Sequence, residues 1–374
     1  MSARARPAGQ AGAGRGKIVA GHDIIVIGAS AGGVEALTAL VATLPADLPA
    51  AVFVVLHLSV SSPSHLPAIL ARRGPLPVAQ AAHGEDIEHG RIYVAPPDQH
   101  LRLRDGRVEL TRGPRENGVR PAADPLFRSA ARAYGPRVVG VVLSGTLGDG
   151  ALGLSAIAAR GGITVAQDPD EALFDGMPRA AIRYARVDHI LPADRIGALL
   201  GRLAREPLPE AAWQGDDGGR GMDEIDADSP PQIWRDIVAQ ARDERGGKTT
   251  IYTCPECGGT LWQIEDVGVP HFNCHVGHTY SPEALLGHMS EEVEAALWVC
   301  VRMLVEKATL TRQFAQRLRA DGKAAQADRV EDQAQLDDRH GQVIRDTLLG
   351  AGASFVPAFA VEQELRGPGR AAGA

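Results

Sequence analysis

The chain has 374 residues, of which 44% are hydrophobic and 23% charged, a composition that supports a packed core and more than one domain. Its net charge of −7 argues against nucleic acid or an anionic membrane surface as the main partner. No apolar stretch is long enough to span a bilayer, so we expect a cytoplasmic protein without membrane insertion.

Residues 1–21 are rich in Ala, Gly and Arg and lack the apolar centre of a secretory signal, which predicts a disordered tail, with an organellar transit peptide as the alternative. Residues 22–204 alternate strand-like and helix-like segments, which is typical of an α/β domain with a doubly wound, mostly parallel sheet. Strands are expected at 24–27, 52–57, 92–95, 138–143, 163–167 and 189–191, and helices near 33–43, 64–72, 123–134, 150–159 and 193–204. The turn at Asp105-Gly106 predicts an antiparallel hairpin at the sheet edge within 90–111.

Three of these apolar runs lead directly into residues that carry chemistry: Ser30, His57 and Asp149. The carboxyl ends of parallel strands meet at one edge of a sheet, where ligands bind. A serine hydroxyl is a weak nucleophile that needs a base, and the base needs an orienting acid. The sequence therefore indicates a Ser-His-Asp hydrolytic triad. Backbone N–H groups at the following helix start are suited to stabilise an oxyanion.

Each of these signals has a plainer interpretation when it is taken alone. For the segment from Gly28 to Gly33, that interpretation is a dinucleotide-binding turn. The segment departs, however, from the G-x-G-x-x-G fingerprint of such turns, and no acidic residue follows the second strand to bind a ribose. His57 alone reads as a buried structural histidine, and His65 is a competing base in a predicted helix. The order Ser…His…Asp differs from that of α/β-hydrolases, and no G-x-S-x-G elbow is present.

The first domain resembles a known family over residues 20–204. Seven segments occur in the family's order and at about its spacing: IGASAGGVEAL, VVLHLS, RIYVAPPDQHL, RPAADPLF, VVLSGTLGDGALGL, VAQDP and GMPRAA. They are similar to CheB-type protein-glutamate methylesterases of bacterial chemotaxis. The resemblance implies hydrolysis of glutamyl methyl esters, and in some members deamidation of glutamines, on a methylated chemoreceptor or a related signalling protein. It implies no cofactor for catalysis.

The same resemblance assigns roles to individual residues. Ser30 would be the nucleophile, His57 the base and Asp149 the orienting acid, with Ala31, Gly32 and Thr146 at the oxyanion site or the cleft. The family loop usually reads GMG-x-DG, whereas this chain reads GTLGDG, so Thr146 and Leu147 replace the methionine and the second glycine. Regulated members carry an N-terminal receiver domain; only a short tail stands there in this sequence, so we expect no regulation by a receiver in cis.

Residues 205–247 are acidic and contain paired prolines, which predicts a flexible linker with a short helix near 234–241. The unit at 248–281 holds Cys254, Cys257, Cys274 and His278 in C-x-x-C and C-x-x-x-H spacings. Four such ligands from two short loops suit a structural, tetrahedral zinc ion in a zinc-ribbon-like unit. His271 and His275 compete for the fourth position, and a metal-free module is the alternative. The unit resembles one attached to some stand-alone CheB-like proteins.

Residues 282–350 lack the Pro and Gly of the preceding segment almost entirely and predict a helical hairpin that turns at Asp321-Gly322, followed by a tail at 351–374. A helical stripe of apolar residues is expected to form its core: Leu297, Cys300, Leu304, Phe314 and Leu318. A coiled-coil dimer is the alternative, so these helices are expected to bind a protein partner or a second copy. The alternative function is therefore a signalling scaffold or adaptor whose esterase domain is weak or inactive.

Overall fold

The computed structural model describes residues 21–57, 64–104, 106–208, 247–266 and 268–350. The terminal tails and almost all of the predicted linker, including its short helix, lie outside the described residues. No helix within the described residues is long and apolar enough to cross a membrane.

A seven-stranded, wholly parallel sheet forms the centre of the first domain, as the alternating pattern predicts. Its strands are β1 (Ile24–Ala29), β2 (Ala51–Leu56), β3 (Val78–Gln80), β4 (Arg91–Val94), β7 (Val138–Val142), β8 (Ile163–Gln167) and β9 (His189–Leu191). They pair in the order β3-β4-β2-β1-β7-β8-β9. The inner strands are continuously apolar because helices cover both faces.

Helices cover the two faces of this sheet in two groups. They are α1 (Gly33–Ala42), α2 (Leu66–Ala71), α3 (Ala123–Tyr134), α4 (Ala151–Ala159), α5 (Gly176–Tyr184) and α6 (Ala193–Leu203). Apolar residues of α1, α2 and α6 pack with Ile25 and Ile27 on one face. Those of α3, α4 and α5 pack with Ile24 and Val26 on the other. This is the doubly wound arrangement expected from the sequence, and it places the strand ends at one open edge.

The hairpin prediction for 90–111 is partly wrong. Residues 91–94 form β4, a parallel strand inside the main sheet, and only β5 (His100–Arg104) and β6 (Arg107–Thr111) form an antiparallel hairpin. That hairpin is a separate two-stranded sheet, and its Leu101 and Leu103 bury their side chains in the core beside α3. The short strand β3 and helix α5 were not predicted, since neither has a long periodic pattern.

The second unit is a four-stranded antiparallel sheet, formed by β10 (Lys248–Thr253), β11 (Thr260–Asp266), β12 (Val269–Cys274) and β13 (Thr279–Tyr280). Its small core joins Leu261, Phe272 and Tyr280 to Ala284 and Leu285 of the following helix. The sheet and the helix therefore share one hydrophobic core.

The predicted helical hairpin consists of α7 (Pro282–Ala320) and α8 (Ala324–Gly350). Ser281 caps α7, its side chain accepting a hydrogen bond from the backbone N–H of Ala284. The buried residues along the hairpin are mostly small: Val301, Ala308 and Ala315 on α7, and Ala327, Ala334 and Gly341 on α8. The prediction that Cys300 lies in the core is wrong, since this residue is exposed and Phe314 is 54% exposed. Leu297, Leu304 and Leu318 of the same predicted stripe are half-buried and continue the seven-residue spacing of Val301, Ala308 and Ala315 along the face that packs against α8. Small residues on that face permit close helix approach.

Candidate active site

The sheet brings Ser30 and His57 to neighbouring positions. In the parallel pairing of β1 with β2, Ala29 lies opposite Leu56, and Ser30 and His57 are the next residues on each strand. The backbone N–H of His57 donates to the carbonyl of Ala29 at 3.1 Å. Both residues therefore leave the carboxyl edge of the sheet side by side, as the sequence pattern predicts.

The turn that carries Ser30 is packed closely against the loop after β7. The backbone N–H of Ser30 donates to the carbonyl of Ser144 at 2.9 Å. Gly32 has φ 69, and a Cβ there would lie 2.6 Å from Ser144 Oγ, so only glycine fits this position at the start of α1. Among the described residues, the backbone N–H groups of Ala31 and Gly32 have no hydrogen-bond acceptor, which leaves them free to bind an oxyanion.

His57 is hydrogen-bonded to Asp149, whose loop follows β7. The distance from His57 Nε2 to Asp149 Oδ2 is 2.7 Å, and the two side chains are 13% and 2% exposed. Because Nε2 is used by the aspartate, Nδ1 is the ring nitrogen left to accept a proton. Within the described residues, Ser30 Oγ makes no hydrogen bond to His57. Catalytic hydrogen bonds are often long in a free enzyme and shorten when substrate binds.

The carboxylate of Asp149 is surrounded by donors. Its Oδ2 also accepts from the backbone N–H of Ala123 at 2.6 Å, and its Oδ1 accepts from Asn117 Nδ2 at 3.0 Å and from Asp124 N at 3.3 Å. Ala123 and Asp124 begin α3, whose positive end favours an anion. Burial raises the pKa of Asp149, but the hydrogen bond and charge of His57 and the other donors outweigh it and lower the pKa to about 2. Asp149 is thus held as an anion beside the imidazole.

A second buried carboxyl group, that of Asp124, lies beside the first. Its Oδ1 accepts from the backbone N–H of Gly153 at 2.7 Å, and its Oδ2 accepts from Asn117 Nδ2 at 3.1 Å. Burial, together with the neighbouring charge of Asp149, raises the pKa of Asp124 well above its ordinary value. The Asn117 amide therefore bridges two carboxyl groups with opposite pKa shifts.

The altered loop has a strained backbone. Leu147 adopts φ 63, in the left-handed region that glycine occupies without cost. This explains why a glycine suits the position in the family loop. Thr146, the predicted oxyanion or cleft residue, is exposed beside it. No described contact joins the Thr146 side chain to Ser30.

The other polar residues of the matched segments already have partners. His100 is buried, with Nε2 donating to Pro114 O at 2.9 Å and Nδ1 accepting from Ala122 N at 3.2 Å, and burial lowers its pKa. Arg120 forms an ion pair with Asp98 at 2.6 Å. His100 therefore supports the start of α3 as a neutral ring.

The four predicted metal ligands lie together, as Cys254, Cys257, Cys274 and His278 place their ligand atoms within 4.8 Å of one another. Cys257 Sγ is 3.6 Å from Cys274 Sγ, and His278 Nδ1 is 3.5 Å from the sulfurs of both Cys254 and Cys274. A tetrahedral ion with Zn–S bonds of about 2.3 Å places sulfurs about 3.8 Å apart, so the set fits zinc.

The surroundings of this cluster also fit a cation. Burial, with the neighbouring Cys254, raises the pKa of Cys274 to about 12, so an ion would be needed to hold a thiolate there. His278 Nε2 lies 3.3 Å from Glu256 Oε2, the carboxylate partner that a metal-bound histidine commonly has. The competing His271 and His275 are absent from the cluster.

Sequence analysis missed Asn117, Asp124 and Ser144. Ser144 Oγ donates to Ala31 O at 2.8 Å and accepts from Phe174 N at 3.0 Å, so it ties together the loops around Ser30. The Asn117-Gly118 dipeptide is a turn signal, and both residues have positive φ. No local pattern, however, places Asn117 beside a residue 32 positions away.

Comparisons with known proteins agree on one family. The model of the CheB methylesterase family matches residues 25–200. A protein-glutamate methylesterase/protein-glutamine glutaminase of Anaeromyxobacter dehalogenans is 43% identical over 183 residues, which are 49% of this chain and 54% of that protein. The chain thus spans about half the length of several curated relatives that it matches.

A shorter relative and a solved structure match almost over their whole length. A putative protein-glutamate methylesterase/protein-glutamine glutaminase of Leptospira interrogans is 36% identical, over 50% of this chain and 98% of that protein. The crystal structure of the Thermotoga maritima CheB methylesterase catalytic domain is 34% identical, with a TM-score of 0.46, and covers 48% of this chain and 98% of that one.

Proposed function

The chain belongs to the CheB methylesterase family, and on that premise we propose that its first domain hydrolyses glutamyl methyl esters of a chemoreceptor or related signalling protein. The observation that carries the proposal is the 2.7 Å hydrogen bond between His57 and Asp149 beside Ser30 at the carboxyl edge of the sheet. Ser30 is the nucleophile, His57 the base and Asp149 its orienting anion.

The reaction proceeds in two halves through an acyl-enzyme. Ser30 Oγ attacks the ester carbonyl while its proton passes to His57, and the N–H groups of Ala31 and Gly32 stabilise the oxyanion. The bond between carbonyl carbon and methoxy oxygen breaks, and His57 gives the proton to the departing methanol. Water then attacks the acyl group with His57 again as base, which releases glutamate and restores Ser30. Asp149 stabilises the imidazolium in both halves.

The same residues are suited to deamidation. A glutamine side chain presents the same carbonyl, and ammonia would leave in place of methanol after protonation by His57. The names of the Anaeromyxobacter and Leptospira relatives include glutaminase activity. We extend that activity to this chain as part of the proposal.

Methanol release from methylated receptor tests the proposal. Ser30→Ala and His57→Ala are each expected to lower kcat at least about a thousandfold, as substitutions in such triads do. Ser64→Ala is a control outside the proposed triad. Equal, low release by the wild type and both triad variants would reject the esterase function and favour the scaffold alternative.

The Cys/His unit is proposed to hold one structural zinc ion through Cys254, Cys257, Cys274 and His278. The 3.5–3.6 Å spacings of the ligand atoms support this. Elemental analysis is expected to find one zinc per chain in the wild type and in Cys300→Ser, and none in Cys254→Ser. Retention of zinc by Cys254→Ser would contradict this ligand set.

A second copy of the chain is proposed to bind the outer face of α7. Large apolar side chains are exposed there from residue 286 to residue 314, a length of about 42 Å at 1.5 Å per residue: Leu286, Met289, Val293, Met303, Leu310 and Phe314. They follow a seven-residue repeat, as in helix-pairing surfaces. Glu291 and Glu292 lie near one end of this face and Arg317 near the other. Antiparallel pairing is favoured because it brings the acidic end of one copy to the basic end of the other.

Light scattering tests this pairing. We expect a dimer that Leu310→Glu dissociates, and a monomeric wild type would refute the proposed pairing.

A further inference from the structure

Asn117 connects the triad's aspartate to the C-terminal unit. Its side chain is 5% exposed. Its Nδ2 donates to Asp149 Oδ1 at 3.0 Å and to Asp124 Oδ2 at 3.1 Å, while its Oδ1 accepts from the backbone N–H of Ser281 at 2.8 Å. The orientation of the amide is thereby fixed from both sides: two carboxyl groups of the first domain face its donors, and a backbone donor of the C-terminal unit faces its acceptor.

The backbone of Asn117 makes two further contacts with the C-terminal unit. Its N–H donates to the carbonyl of Thr279 at 2.6 Å, and His288 Nε2 donates to its carbonyl at 3.3 Å. The residue adopts φ 52, a conformation that asparagine tolerates better than most residues. This one residue therefore makes three of the hydrogen bonds that join the two parts of the chain.

The partners of Asn117 are positioned by the Cys/His cluster. Thr279 directly follows His278, and Ser281 directly precedes α7. Between them, Tyr280 is fully buried in the core that contains Cys254 and Cys274, and its hydroxyl lies 3.7 Å from Cys254 Sγ. Loss of the ordered cluster would remove the packing that places Thr279 and Ser281 against Asn117.

The loop that bears Asp149 is itself covered by the same unit. Leu147 packs against the Cys/His core, and a Cβ on Gly287 of α7 would lie 3.0 Å from Leu147 Cδ2. Glu283 Oε1 accepts a hydrogen bond from Tyr184 OH at 2.7 Å. The packing thus offsets the cost of the left-handed backbone at Leu147 and holds the loop in place.

We propose that Asn117 is a positioning residue through which the docked Cys/His unit keeps Asp149 aligned with His57, so that the esterase reaction depends on a unit outside its own domain. The inference rests on the proposed esterase function. Without Ser281 and Thr279, the Asn117 amide is free to turn, and Asp149 Oδ1 loses a buried donor next to a second carboxyl group. The imidazole then loses its fixed orientation, while the substrate cleft around Ser30 stays in place.

Asn117→Gly tests the side chain alone, because glycine keeps the left-handed backbone and its two backbone hydrogen bonds. We expect kcat to fall about 10- to 100-fold, the range found for residues that orient another functional group, with KM nearly unchanged. A KM effect of the same size with unaltered kcat would mean that Asn117 acts on binding and would overturn the proposal.

A double-mutant cycle on the full chain tests the coupling. Cys254→Ser is expected to lower kcat by at least a similar factor. Once Asn117 is glycine, its additional effect should be much smaller, because only the packing against Leu147 is left to lose. Cys300→Ser, a change at an exposed cysteine of α7, is the matched control and is expected to leave kcat unaltered. Independent effects, in which the two losses of kcat multiply, would overturn the proposal. The melting temperature of the first domain, measured in parallel, reports whether the variants fold.

A spectroscopic measurement separates this inference from the proposed function. The proton on His57 Nε2, bonded to Asp149, is expected to give a downfield NMR signal that His57→Gln removes. Both Asn117→Gly and Cys254→Ser should shift or broaden it, and Cys300→Ser should not. A wild type that releases no methanol but shows this pattern would reject the esterase function and support the coupling. An unaltered signal in Asn117→Gly and Cys254→Ser would overturn the coupling, whatever the activity.

Discussion

Replacement of Asp149 by asparagine is the change that most directly tests the proposed acid. Four donors point at its two carboxylate oxygens, two at each: His57 Nε2 and Ala123 N at Oδ2, and Asn117 Nδ2 and Asp124 N at Oδ1. A carboxamide has a single acceptor oxygen. Whichever way it turns, its NH₂ group faces two donors, and two hydrogen bonds to a charged group are lost.

The magnitude follows from that count. Hydrogen bonds to charged groups contribute about 1.5–3 kcal/mol each, so Asp149→Asn is expected to cost about 3–6 kcal/mol of folding free energy. In a domain of this size that corresponds to a fall in melting temperature of at least about 6 °C. The catalytic effect is larger. If the NH₂ group of the new carboxamide faces His57, the imidazole proton moves from Nε2 to Nδ1, and Nδ1 can then no longer accept the proton of Ser30. If the carboxamide oxygen faces His57, the imidazolium formed during the reaction has no counter-charge.

We therefore expect kcat for methanol release to fall between about 10³- and 10⁴-fold, the size of loss seen when the aspartate of such a triad is neutralised. Asp23→Asn is the matched control. Asp23 is equally buried, precedes β1 at the opposite edge of the sheet, and accepts two hydrogen bonds from Arg137 at 2.8 and 2.7 Å. Asp23→Asn is therefore expected to lower the stability of the domain and to leave kcat unaltered. The reasoning is refuted if Asp149→Asn retains kcat within about tenfold of wild type, or if Asp23→Asn loses as much.

Two further predictions concern the same site. Gly145→Ala would place a Cβ 2.1 Å from Met177 Sδ and 2.8 Å from Ser30 Cβ, so we expect kcat to fall at least about tenfold; Gly113→Ala, with open space around it, should leave kcat unaltered. Folding lowers the pKa of Asp149 from 3.8 to about 2. The ionised carboxylate therefore contributes fully to the stability of the fold above pH 3.8, and this contribution is lost as the pH falls toward 2. The difference in melting temperature between wild type and Asp149→Asn should narrow over that range, and a constant difference would contradict the assigned ionisation.

Much of the first domain was predictable because its signals are local. Continuous apolar runs between turn residues identify strands that are buried on both faces, and the regular alternation with helices leaves a doubly wound sheet as the consistent topology. The carboxyl-edge rule then predicts that Ser30, His57 and Asp149 lie together. Short elements without periodicity, such as β3 and α5, carry no comparable signal.

The hairpin shows where local pattern fails. Apolar periodicity selects a stripe on α7 but cannot say which of two neighbouring stripes faces α8. The intramolecular packing uses Ala308 and Ala315, because small side chains permit close approach, and the stripe with Cys300 and Phe314 stays exposed. The predicted set therefore mixed the two stripes: Leu297, Leu304 and Leu318 are half-buried on the packed stripe, whereas Cys300 and Phe314 lie on the exposed one.

Short segments of sequence identified the residues with the chemistry for a triad and a metal cluster, since strand ends and ligand spacing are local properties. The hydrogen-bonded link from Ser281 through Asn117 to Asp149, by contrast, follows from the tertiary packing. Asn117 and Ser281 are 164 positions apart, so their contact depends on how the cores of the two units pack against each other. Asn117 suits this contact because asparagine tolerates the left-handed backbone of the turn and its side chain supplies the hydrogen bonds. Short-range patterns encode which elements form; the complementarity of their packed surfaces decides which elements meet.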